Sequence, residues 1–258
     1  MPLSQYFRMV DMMARMALRA DATRYFFGYI WWVLEPLLYV AVLYVVFAYI
    51  LTSRQPDFLM FLMTGKLAFM WFSKTVTQAG NSIITGKGLV GRINVPKSLF
   101  PMAVVQESLY RQASVFILLF AVLLFNGYAI TATWWYLVPI LFVNYLMIVS
   151  CAFIASYIVC LIRDFSPLIS LGMVFLMFTS GIFWDVRGLD DPVKTELLLA
   201  LNPLLFVLDA YRQVLMYETP PDMLHLTLIG VGFGALLCAI VLLMRRTDKF
   251  LALKALTA

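Results

Sequence analysis

Charge is scarce in this chain. Of its 258 residues only 13% are Asp, Glu, Lys or Arg, while 63% are hydrophobic. A soluble domain of this size could not hide so much apolar surface. Repeated runs of about 20 apolar residues describe a polytopic helical membrane protein instead. Histidine is scarcer still: His225, at the start of the last apolar run, is the only one and reads as interfacial rather than as a base or ligand. The three cysteines, Cys151, Cys160 and Cys238, all lie inside apolar runs. They read as small core residues, with neither a disulfide framework nor metal spacing. Metal sites built from His and Cys are therefore not on offer. A phosphate-binding loop is missing too. Thr85-Gly86-Lys87-Gly88 fails G-x-x-x-x-G-K-[ST], with Asn81 at the first position and Gly88 at the last. Gly230, Gly232 and Gly234 have no strand before them, so they form a close-packing helix face rather than a dinucleotide fingerprint. No catalytic site and no cofactor are expected in this polypeptide.

What is present is a net charge of +5, with the basic residues gathered at the ends of the apolar runs. That placement orients a membrane protein and gives no reason to invoke nucleic acid. The chain reads as one transmembrane domain over 1–258, all-α, with six spans and both termini cytoplasmic. The first span begins only near Tyr29, behind an arginine-bearing segment, so no cleavable signal pattern is expected. Residues 3–25 read as an amphipathic helix at the cytoplasmic interface. Tyr6, Val10, Met13 and Ala17 form its apolar stripe; Arg8, Asp11, Arg15 and Arg19 occupy another face. Phe26 to Pro36 enters the membrane with Tyr29, Trp31 and Trp32 as interfacial aromatics. Glu35 sits at headgroup depth or pairs with an arginine such as Arg24. The first span runs to about Leu51, a short outer loop covers Thr52 to Asp57, and the second span covers about Phe58 to Thr77.

Lys66 and Lys74 lie inside that second span, where a charge faces a cavity, finds a partner or snorkels. The third span runs from about Met102 to Phe125. In it Glu107 and Arg111 stand one turn apart, acid first, which favours a structural ion pair. The fourth span lies within Trp134 to Ile162. The fifth opens at Pro167, in the first helical position, and ends near Trp184. The last apolar run, Leu224 to Met244, ends in Arg245, Arg246, Lys249 and Lys254, which places the C-terminus inside. Both termini inside demands an even number of spans. Leu197 to Met216, broken at Asn202-Pro203 and loaded with Asp209 and Arg212, therefore reads as a re-entrant helix pair within an outer region, 185–222.

Between the second and third spans lies NSIITGKGLVGRINVPKSLF, residues 81–100, polar, basic and glycine-rich. Its Lys87, Arg92 and Lys97 place it on the cytoplasmic side. Gly86, Gly88 and Gly91 allow a sharp turn, Leu89 and Val90 offer a small apolar knob, and Pro96 ends the element. Taken alone, these features describe a six-span protein without an engine: a channel, a carrier or the membrane half of a pump. A membrane-embedded enzyme would need clustered histidines or acids at one depth, which this chain lacks.

Three places carry a resemblance. Arg24 is followed by FGYIWWVLEP, with Phe27 where the family has Leu. The cytoplasmic stretch GKGLVGRINVPKSLFP leads into a helix bearing Glu107. Asn202-Pro203-Leu204 is followed by Tyr211-Arg212. In order and spacing over essentially the whole chain, these motifs resemble the membrane subunits of ABC exporters for bacterial surface polysaccharides, most closely the capsular polysaccharide export permeases. The resemblance implies an inner-membrane homodimer working with two copies of a separate ATPase, which holds the ATP and magnesium. It implies that Gly86, Lys87, Gly88, Leu89, Val90, Arg92 and Pro96 couple to that ATPase. The substrate is a polysaccharide, free or lipid-linked, handed on to periplasmic co-polymerase or outer-membrane export proteins. Candidate channel residues are Lys66, Phe69, Trp71, Phe72, Lys74, Tyr110, Arg111 and Tyr145, with aromatics for sugar C–H faces and cations for polyanions. Trp184, Asn202, Pro203, Asp209 and Arg212 are the candidate periplasmic gate. An O-antigen exporter is the alternative, and a small-molecule exporter a further one.

Overall fold

A computed structural model describes residues 2–24, 26–46, 57–91 and 95–257, with the Arg24 side chain left out. The end of the expected first span, the outer loop after it and Arg92 lie outside the described residues. Every regular element among the described residues is helical. They are α1 (Leu3–Arg24), α2 (Trp31–Tyr44), α3 (Phe58–Gly80), α4 (Ser82–Thr85), α5 (Lys87–Val90), α6 (Leu99–Phe125), α7 (Leu137–Leu161), α8 (Phe165–Thr179), α9 (Pro192–Leu201), α10 (Pro203–Leu215), α11 (Met223–Arg246) and α12 (Asp248–Thr257). Short 3-10 turns precede α2, α7 and α9.

Among the described residues, three helices are long and apolar enough to cross a membrane: Leu99–Phe125, Ala132–Leu161 and Met223–Arg246. Leu3–Thr23 and Gly28–Tyr44 pass the same test only as a pair bent by 102°. α3 has the length, at 23 residues, but Lys66 and Lys74 dilute its apolar character. With 15 residues α8 rises about 22 Å, short of a hydrocarbon core of about 30 Å. It starts at Phe165, so Pro167 is the third residue rather than the first, still inside the turn whose N–H groups have no intrahelical partner. It also stops well before Trp184, because Gly181 takes a left-handed φ of +66° and turns the chain.

The starts of the later helices are written in the sequence. Asp191, Asn202 and Asp222 each accept backbone N–H bonds from the first turn of α9, α10 and α11, and proline occupies the opening turn of α9 and α10. α9 and α10 thus break at Asn202 as expected, yet they differ sharply in burial. α9 has no buried residue, whereas every residue from Leu204 to Leu215 is buried.

The core is built on α3, against which α6, α7 and α10 pack. α11 lies along α7. There Gly230 and Gly234 face Val143 and Leu146, and Ser150 Oγ donates to the Phe233 carbonyl at 2.9 Å. Gly232 has open space beside it and takes no part in that seam. Small residues let the two backbones approach closely. The buried residues of α11, Leu226, Ile240 and Met244, continue that same face.

α1 buries Val10, Ala14, Leu18 and Ala22 against α6, a stripe shifted by one position from part of the expected one. Tyr6 bonds Ser98, Asp11 bonds Tyr110 and Asp21 pairs with Arg111. These contacts advance along both helices in the same order, so α1 and α6 run in the same direction. The apolar stripe of α1 therefore has a protein partner.

Candidate functional site

Charged side chains converge where α1, α2, α3 and α6 meet. Arg111 pairs with Glu107 one turn earlier and with Asp21 of α1 at 3.0 Å. Trp32 Nε1 donates to the same Asp21 carboxylate at 3.2 Å, and the Arg111 guanidinium stands 5.5 Å from the Trp32 ring. The Glu107–Arg111 pair is thus present as expected, with an additional acid that local spacing does not reveal. Arg111 Nε is buried and makes no hydrogen bond. Glu35 pairs with Lys74 of α3 at 2.7 Å rather than with an arginine. Both members are substantially exposed, so this link contributes at most about 1 kcal/mol.

Together these groups line a cleft that also includes Trp71, Ser108 and Gln112, with about 80 Å³ of free space. That holds a handful of waters, not a polymer. Trp71 Nε1 donates to Ser108 Oγ at 3.3 Å, and the ring meets Phe116 edge-on at 5.9 Å. Of the candidate channel residues, the structure brings Trp71, Lys74 and Arg111 together here. Tyr110 points elsewhere: its hydroxyl donates to Asp11 at 2.5 Å. That bond, with Arg15 beside it, holds the Asp11 carboxyl below its ordinary value. Burial raises the Tyr6 hydroxyl, partly offset by its bond to Ser98 and by the charge of Arg245.

Lys66 does not snorkel. It is 6% exposed, with Nζ 3.1 Å from Met177 Sδ and 5.8 and 5.7 Å from the rings of Tyr39 and Phe69. A second cleft of about 190 Å³ gathers Lys66, Phe69 and Lys74 with Tyr39, Ser73 and Met173 between α2, α3 and α8. Phe72 is in the core, and Tyr145 packs near Trp71 at 6.4 Å.

On the candidate gate, Asn202 does two jobs. Its Oδ1 caps α10 at the Leu204 and Leu205 N–H groups, both at 3.1 Å, while Nδ2 donates to Ser180 Oγ at 3.1 Å and the Thr179 carbonyl at 3.4 Å. Pro203 supplies the fixed φ of the first turn. Trp184 Nε1 donates to the Phe178 carbonyl at 2.9 Å. Asp209, fully buried, accepts two-pronged bonds from Arg187 at 2.8 to 3.2 Å and one from Gln213 at 2.6 Å. Arg187 escaped notice in the sequence, where its one signal is a lone arginine in a polar loop. Arg212 turns away from Asp209. It donates to the carbonyls of Gly181 at 2.7 Å, Phe61 at 3.3 Å and Ile182 at 3.4 Å, and lies 3.5 Å from the Phe61 ring centre. A side chain at Gly65 would collide with its guanidinium.

In the segment between α3 and α6, α4 and α5 are two single turns with Gly86 between them. A Cβ on Gly86 would overlap the Phe100 ring, so this glycine provides close approach as well as a bend. Leu89 and Lys87 are exposed, as is Gly88. Val90 is not: it is 7% exposed and belongs to the core, which reduces the expected two-residue knob to Leu89. On α5 these neighbours lie about 100° apart, which leaves one in solvent and the other in the core. Pro96 lies just before the turn into α6. Among the described residues no cluster of three or more His, Cys, Asp or Glu could hold a metal ion.

These features define a helical protein with several candidate membrane spans and with ion pairs that join its helices. No family model matches the chain. It is 24% identical over 192 residues to the O-antigen export system permease protein RfbA of Klebsiella pneumoniae, covering 74% of this chain and 73% of the relative. It is also 24% identical over 225 residues to the protein of that name from Myxococcus xanthus, covering 85% of each. The resemblance to surface-polysaccharide exporter permeases carried by the motifs is thus met by curated proteins over most of the chain. The preference for capsule is not: the relatives found are named for O-antigen export.

Proposed function

We propose that this chain is the permease subunit of an ATP-driven exporter of an O-antigen-type surface polysaccharide, in the bacterial inner membrane. The observation that carries the reading is the end-to-end similarity to O-antigen export permeases, 85% of both chains in one case. The dense basic ending of α11, Arg245-Arg246, supports a cytoplasmic C-terminus. Six spans follow when the first apolar run, read from the sequence to about Leu51, is counted together with α3, α8 and the three long helices. The α9–α10 pair then enters and leaves from the periplasmic side, its buried limb held by Arg187, Asp209 and Arg212. Trp184, Asn202 and Pro203 fix the turns of that gate.

Two copies of the chain act with two copies of a separate ATPase. Gly86, Lys87, Gly88, Leu89, Arg92 and Pro96 transmit its closure as a rigid push on α3 and α6, with Val90 anchoring the loop from within. The clefts inside one copy are too narrow for a polymer, so the path runs between copies. Lys66, Phe69, Trp71, Lys74 and Arg111 are its best-placed lining groups once the helices part. Phe72, Tyr110 and Tyr145 support them from behind. Periplasmic or outer-membrane proteins take the polymer onward.

The test is a clean deletion in the source bacterium, with lipopolysaccharide and capsule extracted separately from surface and cytoplasm. O-antigen lost from the surface and accumulated inside is the expected result. Loss of capsule alone would return the assignment to capsular export, and normal surface levels of both glycans would end the polysaccharide reading.

A further inference from the structure

The C-terminal helix α12 is not a loose tail. Its inward face carries Asp248, Leu251 and Ala255, and the last two are completely buried. Asp248 accepts from the Lys97 backbone N–H at 2.8 Å and stands 3.6 Å from Lys97 Nζ, a lysine only 2% exposed. Cys160 Sγ, at the end of α7, reaches the Leu251 carbonyl at 3.6 Å. α12 packs against α4, α5 and α7, and a Cβ on Gly91 would meet Leu256 Cδ2 at 3.2 Å. The helix is therefore built into the same surface as the loop that bears Leu89.

Among the described residues its opposite face is largely uncovered, with Leu256 beside Gly91 at one margin and Lys254 Nζ 5.9 Å from the Phe250 ring. At 100° per residue Phe250, Leu253 and Leu256 project away from Leu251 and Ala255, and they are 49%, 62% and 53% exposed. A helix apolar on two faces buries both or wastes one. The first face lies against the loop and the second is open. The open face is flanked by Lys249 and Lys254, with Lys87 on α5 and Arg245 and Arg246 just before α12, all exposed. The only acid within α12, Asp248, is committed to Lys97.

We infer that α12 and the loop helix α5 form one docking surface for the ATPase subunit, with Phe250, Leu253 and Leu256 adding to Leu89 and the basic residues meeting an acidic rim. The inference rests on the proposed coupling role of the 81–100 loop and names a second element of that interface. The continuity of α5 with α12 through Gly91 and Leu256 favours a partner that already engages Leu89 over a lipid surface.

The experiment co-purifies the full-length permease with the ATPase encoded in the same operon, in detergent and without nucleotide. Wild type and Leu253→Met retain the ATPase; Leu89→Glu and the double variant Phe250→Glu/Leu253→Glu each weaken its binding about tenfold or more, the loss expected for one or two apolar anchors. If only Leu89→Glu loses the ATPase, the α12 surface is overturned and the coupling loop stands. If Leu89→Glu retains it, the coupling reading fails and the single surface with it, whatever the double variant does. A fold-independent reading comes from a spin label at Leu253→Cys in a Cys238→Ser background. The label is immobilised on adding the ATPase. A label unchanged by the ATPase but relaxed by a lipid-soluble quencher assigns the face to membrane and overturns the inference.

Discussion

Among the described residues Arg212 makes no direct ion pair; its partners are backbone carbonyls. Its guanidinium fork joins α10 to the Phe61 carbonyl of α3 and to the turn at Gly181 and Ile182. Hydrogen bonds from a charged donor inside a protein are worth about 1.5–3 kcal/mol each, and the acceptors left behind add a penalty. Arg212→Met should therefore cost about 3 kcal/mol or more of stability, measured by unfolding in detergent, and Arg212→Lys should recover only part because an ammonium cannot serve three carbonyls in a plane. An unchanged midpoint in Arg212→Met would remove this role. Asp11 gives a prediction of another kind. Its carboxyl is held below the ordinary value of 3.8 by the Tyr110 hydroxyl first and by Arg15. A depressed folded value means that the bond favours the docked α1 at neutral pH and that this contribution is lost as the pH falls below about 3.8 toward the folded value. Protection of the α1 amides, relative to their intrinsic exchange at each pH, should fall over that acid range in wild type and should be low at all pH values in Tyr110→Phe. A flat wild-type profile would contradict it.

Among the elements, what was legible in the sequence was whatever depends on neighbours a turn apart. The break before α10 follows from Asn-Pro and the Glu107–Arg111 pair from i,i+4 spacing, while the capping acids Asp191 and Asp222 carry the same local signal. Pairings that span the fold were not legible. Glu35 meets Lys74, Asp209 meets Arg187 and Asp21 meets Arg111 only because distinct helices cross there. Val90 failed for a related reason: its neighbour Leu89 is exposed, and only the packing of α5 tells the two apart. Asn202 separates local from tertiary roles experimentally. Asn202→Asp keeps the cap on α10 and gives up donation to the Thr179 carbonyl; Asn202→Ala loses both, with about 1 kcal/mol from the cap alone. Hydrogen exchange at Leu204 and Leu205 should therefore quicken in the alanine variant and not in the aspartate variant.

For the whole molecule the open question is which side each element faces. In a Cys238→Ser background, Leu189→Cys should react with a membrane-impermeant thiol reagent added outside intact spheroplasts, and Lys254→Cys only after lysis. Labelling of Lys254→Cys from outside would overturn the six-span arrangement. The sequence carried the helical class and the resemblance to exporter permeases because both depend on distributed patterns: long apolar runs and three spaced motifs. It did not separate one glycan from another, since stacking aromatics and scattered cations suit many sugars.

The grip on the start of α6 has a consequence for biosynthesis. Tyr6, near one end of the chain, bonds Ser98, and Asp248, near the other, answers the buried Lys97. α12 leaves the ribosome after the other described helices, so the start of α6 waits for a helix made 151 residues later before Lys97 acquires its acid. Chains that stop before α12 would insert their earlier helices yet leave Lys97 without its acid, so the pairing would mark copies that carry α12.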